Sequence, residues 1–327
     1  MYSADDLLFK FTEHLKLLNR SPATMDAYAT NARLFLKTID IPDVRQITTG
    51  VIEQYIAGLY DHRTADNKPY SLSTICVKIR SIKRFFEYLE SANIIFIDPA
   101  GFIAEPQQSR GKIKDTLTAK EVKAILDQPN LGTLMGIRDR AIMEVFYSAG
   151  IRTEELCNLT VFDVDLTGHM LRVTRGKGRK DRVVPLGRHA VRFAKEYITR
   201  VRPHYTKKNR ASRHLFVNYY GQPITTQVIA IMIRKYKTAA KIRKNVTAHT
   251  FRHTFATDLI KNGADIRAVQ KMLGHADIRT TQMYIRSLGI DLKKAHTRTH
   301  PRERDKEPQN IARPQIERIK DKYERKL

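Results

Sequence analysis

Five short stretches in the second half of the chain place polar or cationic side chains where turns and helix ends would expose them. They are GIRTEEL (150–156), RGKGRKDR (175–182), AHTFRHTFAT (248–257), LGH (273–275), and Tyr284, nine positions past His275. Singly, each has a plain structural explanation. Arg152 and Glu155 have the i,i+3 spacing of a salt bridge, the basic turn around Lys177 can be solvated, and a tyrosine in a helix usually fills a core. AHTFRHTFAT says more, because helical spacing puts His249, Arg252 and His253 on neighbouring turns of one face. Such a cluster repels itself unless an anion holds it. A metal is the alternative, since His249 and His253 stand at i,i+4, the spacing of a helical zinc pair. Thr250 stands where a zinc protease would carry its glutamate, and Arg252 lies alongside. A cation beside an arginine is unfavourable, so a metal centre is not expected.

The elements that must position these residues are mostly helical. The first hundred residues carry helical periodicity, with the stripe Leu7, Leu8, Phe11, Leu15, Leu18. After Ser21 as N-cap and Pro22 at the first helical position come Tyr28, Leu34, Phe35 and Ile39. Two more helices follow. The fourth, SLSTICVKIRSIKRFFEYLE, is expected to bury Ile75, Ile82, Phe85 and Leu89 while Lys78, Arg80, Lys83 and Arg84 project. That cationic face is either a solvated surface or a phosphate-binding one. From Asp98 to about Asp115 periodicity gives way to Pro99, Gly101, Pro106 and Gly111, which reads as a linker. A second domain then opens with the capping-box spacing of Thr118 and Glu121 and an apolar helix from Leu134 to Ser148 stopped by Gly150. HMLRVTRGKGRKDRVVPL reads as two short strands around a basic turn, and helices resume near Arg188. The expected domains are 1–105 (helical), 106–115 (linker), 116–295 (second domain) and 296–327, a charged tail with a helix expected from Pro314.

Composition narrows the partner. Lys and Arg number 59 against 34 Asp and Glu, a formal charge of +25 over 327 residues, which points to a polyanion. No apolar run is long enough to span a bilayer, and MYSADDLLFKFTEHLK alternates charge into a helical stripe where a secretory signal would be continuously apolar. A cytoplasmic protein with no membrane partner is expected. Cys76 and Cys157, far apart and without a CxxC pair, read as reduced core residues.

In order and spacing, Arg152 in GIRTEEL, Lys177 in the GKG turn, His249 and Arg252 as H-x-x-R, His275 in LGH, and Tyr284 resemble the active site of the tyrosine site-specific recombinases, the phage-integrase and Xer-type family. The resemblance spans roughly residues 5 to 295 and implies a mainly α fold with a small antiparallel β-sheet. It further implies a two-domain C-shaped DNA clamp: an N-terminal SAM-like four-helix core-binding domain and a tyrosine recombinase catalytic domain. It assigns Tyr284 as the nucleophile forming a 3′-phosphotyrosyl link. A free phenol titrates near pH 10, so ionising it at neutral pH costs about 4 kcal/mol and needs assistance. Arg152, Arg252 and His275 would stabilise the charge on the phosphate, and His249 would handle the tyrosine proton. Lys177 would protonate the departing 5′-hydroxyl, worth roughly 100- to 10,000-fold, with Lys180 a substitute. Glu155 would orient Arg152 from behind, and His253 is read as a structural hydrogen-bonding residue with a catalytic role as the alternative.

The function so implied is exchange of strands between two DNA sites through a Holliday junction, in integration, excision or dimer resolution, with no cofactor, metal or ATP. Expected partners are double-stranded DNA, a homotetramer on two sites, and a paralogous recombinase or accessory protein. Lys78, Arg80, Lys83 and Arg84 are candidate DNA contacts, as are Arg175, Arg179 and Lys180 on the basic turn. GIDLKKAH (289–296) is expected to dock on a neighbouring subunit. Two other readings keep the fold: a type IB topoisomerase-like relaxing enzyme, and a DNA-binding regulator that does no chemistry. The regulator has no use for Tyr284. A two-metal nuclease is disfavoured because no carboxylate cluster accompanies the basic residues.

Overall fold

A computed structural model describes residues 3–107, 116–174, 181–207 and 209–274. The chain divides into two compact units, Met1–Lys112 and Ile113–Leu327, each with its own apolar core. Among the described residues, no helix is long and apolar enough to cross a membrane.

The first unit is built on α1 (Ala4–Leu17), α2 (Pro22–Ile39), α3 (Thr49–Asp61) and α4 (Leu72–Ser91). Their starts are written in the sequence: Ser3, Ser21 and Ser71 each accept a backbone N–H of the first turn, and Pro22 occupies the first turn of α2. Phe11, Phe35, Phe85 and Phe86 are fully buried, and edge-to-face pairs join Phe11 to Phe85 and Phe35 to Phe86. Each such ring contributes about 1.5–3 kcal/mol of burial, with a further gain from the ring geometry. Leu18 and Leu34 depart from the expected stripe and are exposed, Leu18 because α1 ends at Leu17.

The cationic face of α4 needs correction at one residue. Lys78 does not project; it is 6% exposed, because it shares a face with Ile75 and Ile82, and its ammonium lies 5.0 Å from the centre of the Tyr70 ring. The other three cations are tied locally. Arg80 pairs with Glu105, Arg84 with Glu87, and Lys83 donates to the carbonyls of Gly101 and Ile103.

In the second unit, α5 (Ala119–Leu126) starts with the expected capping box, Thr118 and Glu121 exchanging hydrogen bonds at 2.7 and 3.2 Å. Next come α6 (Leu134–Ala149) and α7 (Thr153–Asn158). The two strands expected around the basic turn, β2 (Met170–Val173) and β3 (Arg182–Pro185), are present, and among the described residues a third, β1 (Val164–Asp165), joins them in an antiparallel sheet in sequence order. Two residues are too few for alternation to reveal β1. The chain continues through α8 (Arg188–Glu196), α9 (Arg202–Thr206), α10 (Thr226–Ala239), α11 (Ala248–Lys261) and α12 (Ile266–Leu273). Cys76 is buried as expected, whereas Cys157 is half-buried against the core.

The central element is α6, buried on almost every side and packed on α8 and α11. It stops at Gly150, whose φ of +59° lets its N–H turn back to the Phe146 carbonyl. A Cβ at Gly150 would lie 2.3 Å from a ring carbon of Phe255 on α11. Gly150→Ala should therefore lose about 2–4 kcal/mol of unfolding free energy, from left-handed backbone strain plus displacement of the ring. The urea midpoint reads this directly, and an unchanged midpoint would show that the contact exerts no constraint.

Candidate active site

Gly150 delivers the chain to Arg152 at the N-terminus of α7, where Glu155 folds back on it. One Glu155 oxygen accepts the backbone N–H of Arg152 at 2.8 Å, and the other accepts the Arg152 guanidinium at 2.9 Å. The expected pairing is thus in place, and it is part of something larger. Arg182, on β3, grips the same carboxylate with two nitrogens at 2.9 and 2.8 Å and donates from Nε to the Met272 carbonyl at 2.6 Å. Arg252 then bridges the Gly150 carbonyl, at 2.6 Å, and the Leu273 carbonyl, at 2.7 Å.

These contacts close a circuit: Arg152 to Glu155, Glu155 to Arg182, Arg182 to Met272, Leu273 to Arg252, Arg252 to Gly150, and back along the chain to Arg152. Two guanidinium groups meet the last carbonyls of α12, where the helix lacks internal donors and its dipole is negative. α12 closes on Gly274 at φ +62°, immediately before His275. The mutual repulsion expected around Arg252 is relieved on the protein side by these carbonyls. Arg252 is 3% exposed, whereas the Arg152 side chain keeps 30% of its surface open.

Burial alone would raise the Glu155 carboxyl. The Arg182 fork and the Arg152 backbone and side chain overcome this and hold it down to about 2. Burial pushes the Cys157 thiol up to about 11, reinforced by Glu154, so this side chain is no ready thiolate. On α11, His253 is buried while His249, in the first turn, is exposed. Among the described residues, no group of three His, Cys, Asp or Glu side chains is gathered as a metal would require.

Of the sequence-derived set, the structure brings together Arg152, Glu155 and Arg252, with His249 and His253 on the Arg252 helix. Lys177, Arg175, Arg179, Lys180, His275, Tyr284, the docking segment 289–296 and the tail helix lie outside the described residues. Arg182 was missed. Its signal was strand alternation: Arg182 stands two residues before Val184, fully buried on β3, so an arginine faces inward and requires an acidic partner.

Comparison with known proteins decides the family. The model of the phage integrase family matches residues 115–289, and that of the phage integrase N-terminal SAM-like domain matches 8–93. The chain belongs to the phage integrase family of tyrosine recombinases. It is 36% identical to a tyrosine recombinase XerD of Staphylococcus saprophyticus over 297 residues, covering 89% of this chain and 98% of the relative. Identity to a tyrosine recombinase XerC 2 of Ralstonia nicotianae is 33%, covering 88% and 84%. Among solved structures, the post-cleavage complex of the XerH recombinase with a palindromic difH substrate aligns with a TM-score of 0.69 at 23% identity, covering 85% of this chain and 80% of that one. A lambda integrase dimer bound to a core site aligns at 0.66 and 16% identity, covering 86% and 95%. These neighbours share the fold, and the mainly α architecture with its small sheet is the one the sequence led us to expect.

Because the folded-state value of Glu155 lies below the ordinary 4.5, its ionised form stabilises the fold above about pH 4.5, and that contribution is lost as the pH falls toward about 2. The stability advantage of the wild type over Glu155→Gln should shrink by about 2 kcal/mol between about pH 6 and about pH 3. A pH-independent gap in denaturant titrations would assign the difference to packing instead of charge.

Proposed function

We propose that this recombinase cuts and rejoins double-stranded DNA at a specific site, with Tyr284 as nucleophile, and exchanges strands between two sites held by four protomers. The observation carrying the reading is the closed circuit of Arg152, Glu155, Arg182 and Arg252, which fixes two of the proposed phosphate ligands to one scaffold. The charge of +25 suits a polyanionic substrate, and XerH and lambda integrase were solved on DNA.

In the proposed step the Tyr284 oxygen attacks the phosphorus, the tyrosine proton passes to His249, and the bond to the 5′-oxygen breaks. Lys177 supplies the proton that makes this oxygen a 5′-hydroxyl. Arg152, Arg252 and His275 hold the non-bridging oxygens as charge builds there. The product is a 3′-phosphotyrosine that keeps the energy of the phosphodiester, so a 5′-hydroxyl from another strand reverses the chemistry and joins the exchanged ends. Every proton and electron pair is accounted for by side chains and DNA, and the scheme calls for neither metal nor nucleotide. A paralogous recombinase or accessory protein would act on the assembly, and the domain limits proposed for this chain are 1–105, 106–115, 116–295 and the charged tail 296–327.

Covalent trapping tests the assignment. Incubated in EDTA with nicked DNA carrying its site, the wild type should give a slow-migrating protein–DNA band on a denaturing gel, and Tyr284→Phe should give none. A band that persists in the variant overturns the nucleophile. Arg152→Ala should slow band formation roughly 100- to 1,000-fold. DNA affinity should fall steeply with added salt, as counterion release requires, and a flat response would count against broad phosphate contact.

A further inference from the structure

Lys78 is a cation in an apolar setting. On α4 it follows Ile75 by three residues and precedes Ile82 by four, and both are almost fully buried. Among the described residues its ammonium meets the Tyr70 ring at 5.0 Å and has no carboxylate partner. Tyr70 is itself held by stacking on His62, ring centres 4.4 Å apart. Burial pushes the Lys78 amine below its ordinary value. An ammonium at the end of a mostly buried side chain is partly desolvated, a cost that an aromatic face offsets in part and an anion offsets far better.

The same lysine lines a cavity of about 530 Å³ in the first unit. Its walls include Leu34 and Ile39 of α2, Tyr55 and Leu59 of α3, and Tyr70. A largely apolar cleft of this size with one convergent charge has the character of a small-ligand site. Leu34 is 41% exposed despite its place on an apolar stripe, which leaves apolar surface at the cavity open to an occupant.

We propose that this cavity binds a small amphipathic carboxylate, its acid group paired with Lys78 and its apolar body lying among Leu34, Ile39, Tyr55 and Leu59. Charge complementarity selects the head group and the apolar walls select the body. The inference stands on the first unit alone and is independent of the reaction assigned to the second.

Isothermal titration of the full-length protein with octanoate and 4-phenylbutyrate tests it. Both acids should bind saturably with one-to-one stoichiometry. Acetate, which lacks the body, and 1-octanol, which lacks the charge, should bind at least tenfold more weakly. Lys78→Met, which keeps most of the unbranched side chain and removes the charge, should lose at least tenfold in affinity for the acids. Should that variant not fold by circular dichroism, the acid-against-alcohol comparison on wild-type protein decides alone. Absence of saturable binding at millimolar acid, equal binding of acetate, or acid binding unchanged in a folded Lys78→Met would each overturn the proposal. So would a Lys78→Met variant whose only change is weaker DNA binding with a shallower salt dependence, since that would make Lys78 a phosphate contact.

Discussion

Glu155 is the group on which the polar circuit joining α6, α7, β3, α11 and α12 depends. One carboxylate receives the backbone and side chain of Arg152 and the fork of Arg182, and through Arg182 it reaches the end of α12. Remove it and two guanidinium groups lose their common anion in a half-buried setting, where an unpaired charge is costly. Arg252 holds the other side by joining the end of α6 to the end of α12. A helix stop, a short helix, a strand and two further helices are thereby fixed by a few charge-assisted hydrogen bonds, which are both stronger and more directional than neutral ones.

The geometry explains how a mainly helical unit holds these cations in a fixed arrangement. Arginine side chains are long and flexible, and on an open surface they would lose much of their orientation. Here Arg252 spends two nitrogens on carbonyls, and Arg152 spends one on Glu155 while part of its surface stays open. Under the function proposed above, such pre-organisation serves electrostatic catalysis, because fixed donors need no reorganisation when charge develops. The scaffold is closely packed for ordinary reasons: α6 is sunk in the core and Gly150 lets α11 approach closely.

Much of this was legible in the sequence, and the failures have identifiable physical causes. Ser21 with Pro22, Thr118 with Glu121, and Gly150 are local signals, readable because caps and left-handed stops depend on adjacent residues. The pairing of Arg152 with Glu155 was visible for the same reason. Arg182 was not, since its partner is 27 residues away and its second acceptor, Met272, is 90 away. Lys78 departs from the expectation because charge suggests exposure, while its position on the stripe with Ile75 and Ile82 directs it inward. Spacing names the residues of a site; which of them share a partner is decided by the fold.

The sharing of Glu155 also bears on how this region can change over generations. Arg152, Glu155 and Arg182 lie in one network, so the effects of replacing them do not add: once the carboxylate is gone, the loss of either arginine's contact to it has already been incurred. The cost of each substitution therefore depends on which partner is still present. Within such a circuit a second replacement costs less than it would alone, whereas replacements at separate exposed positions add.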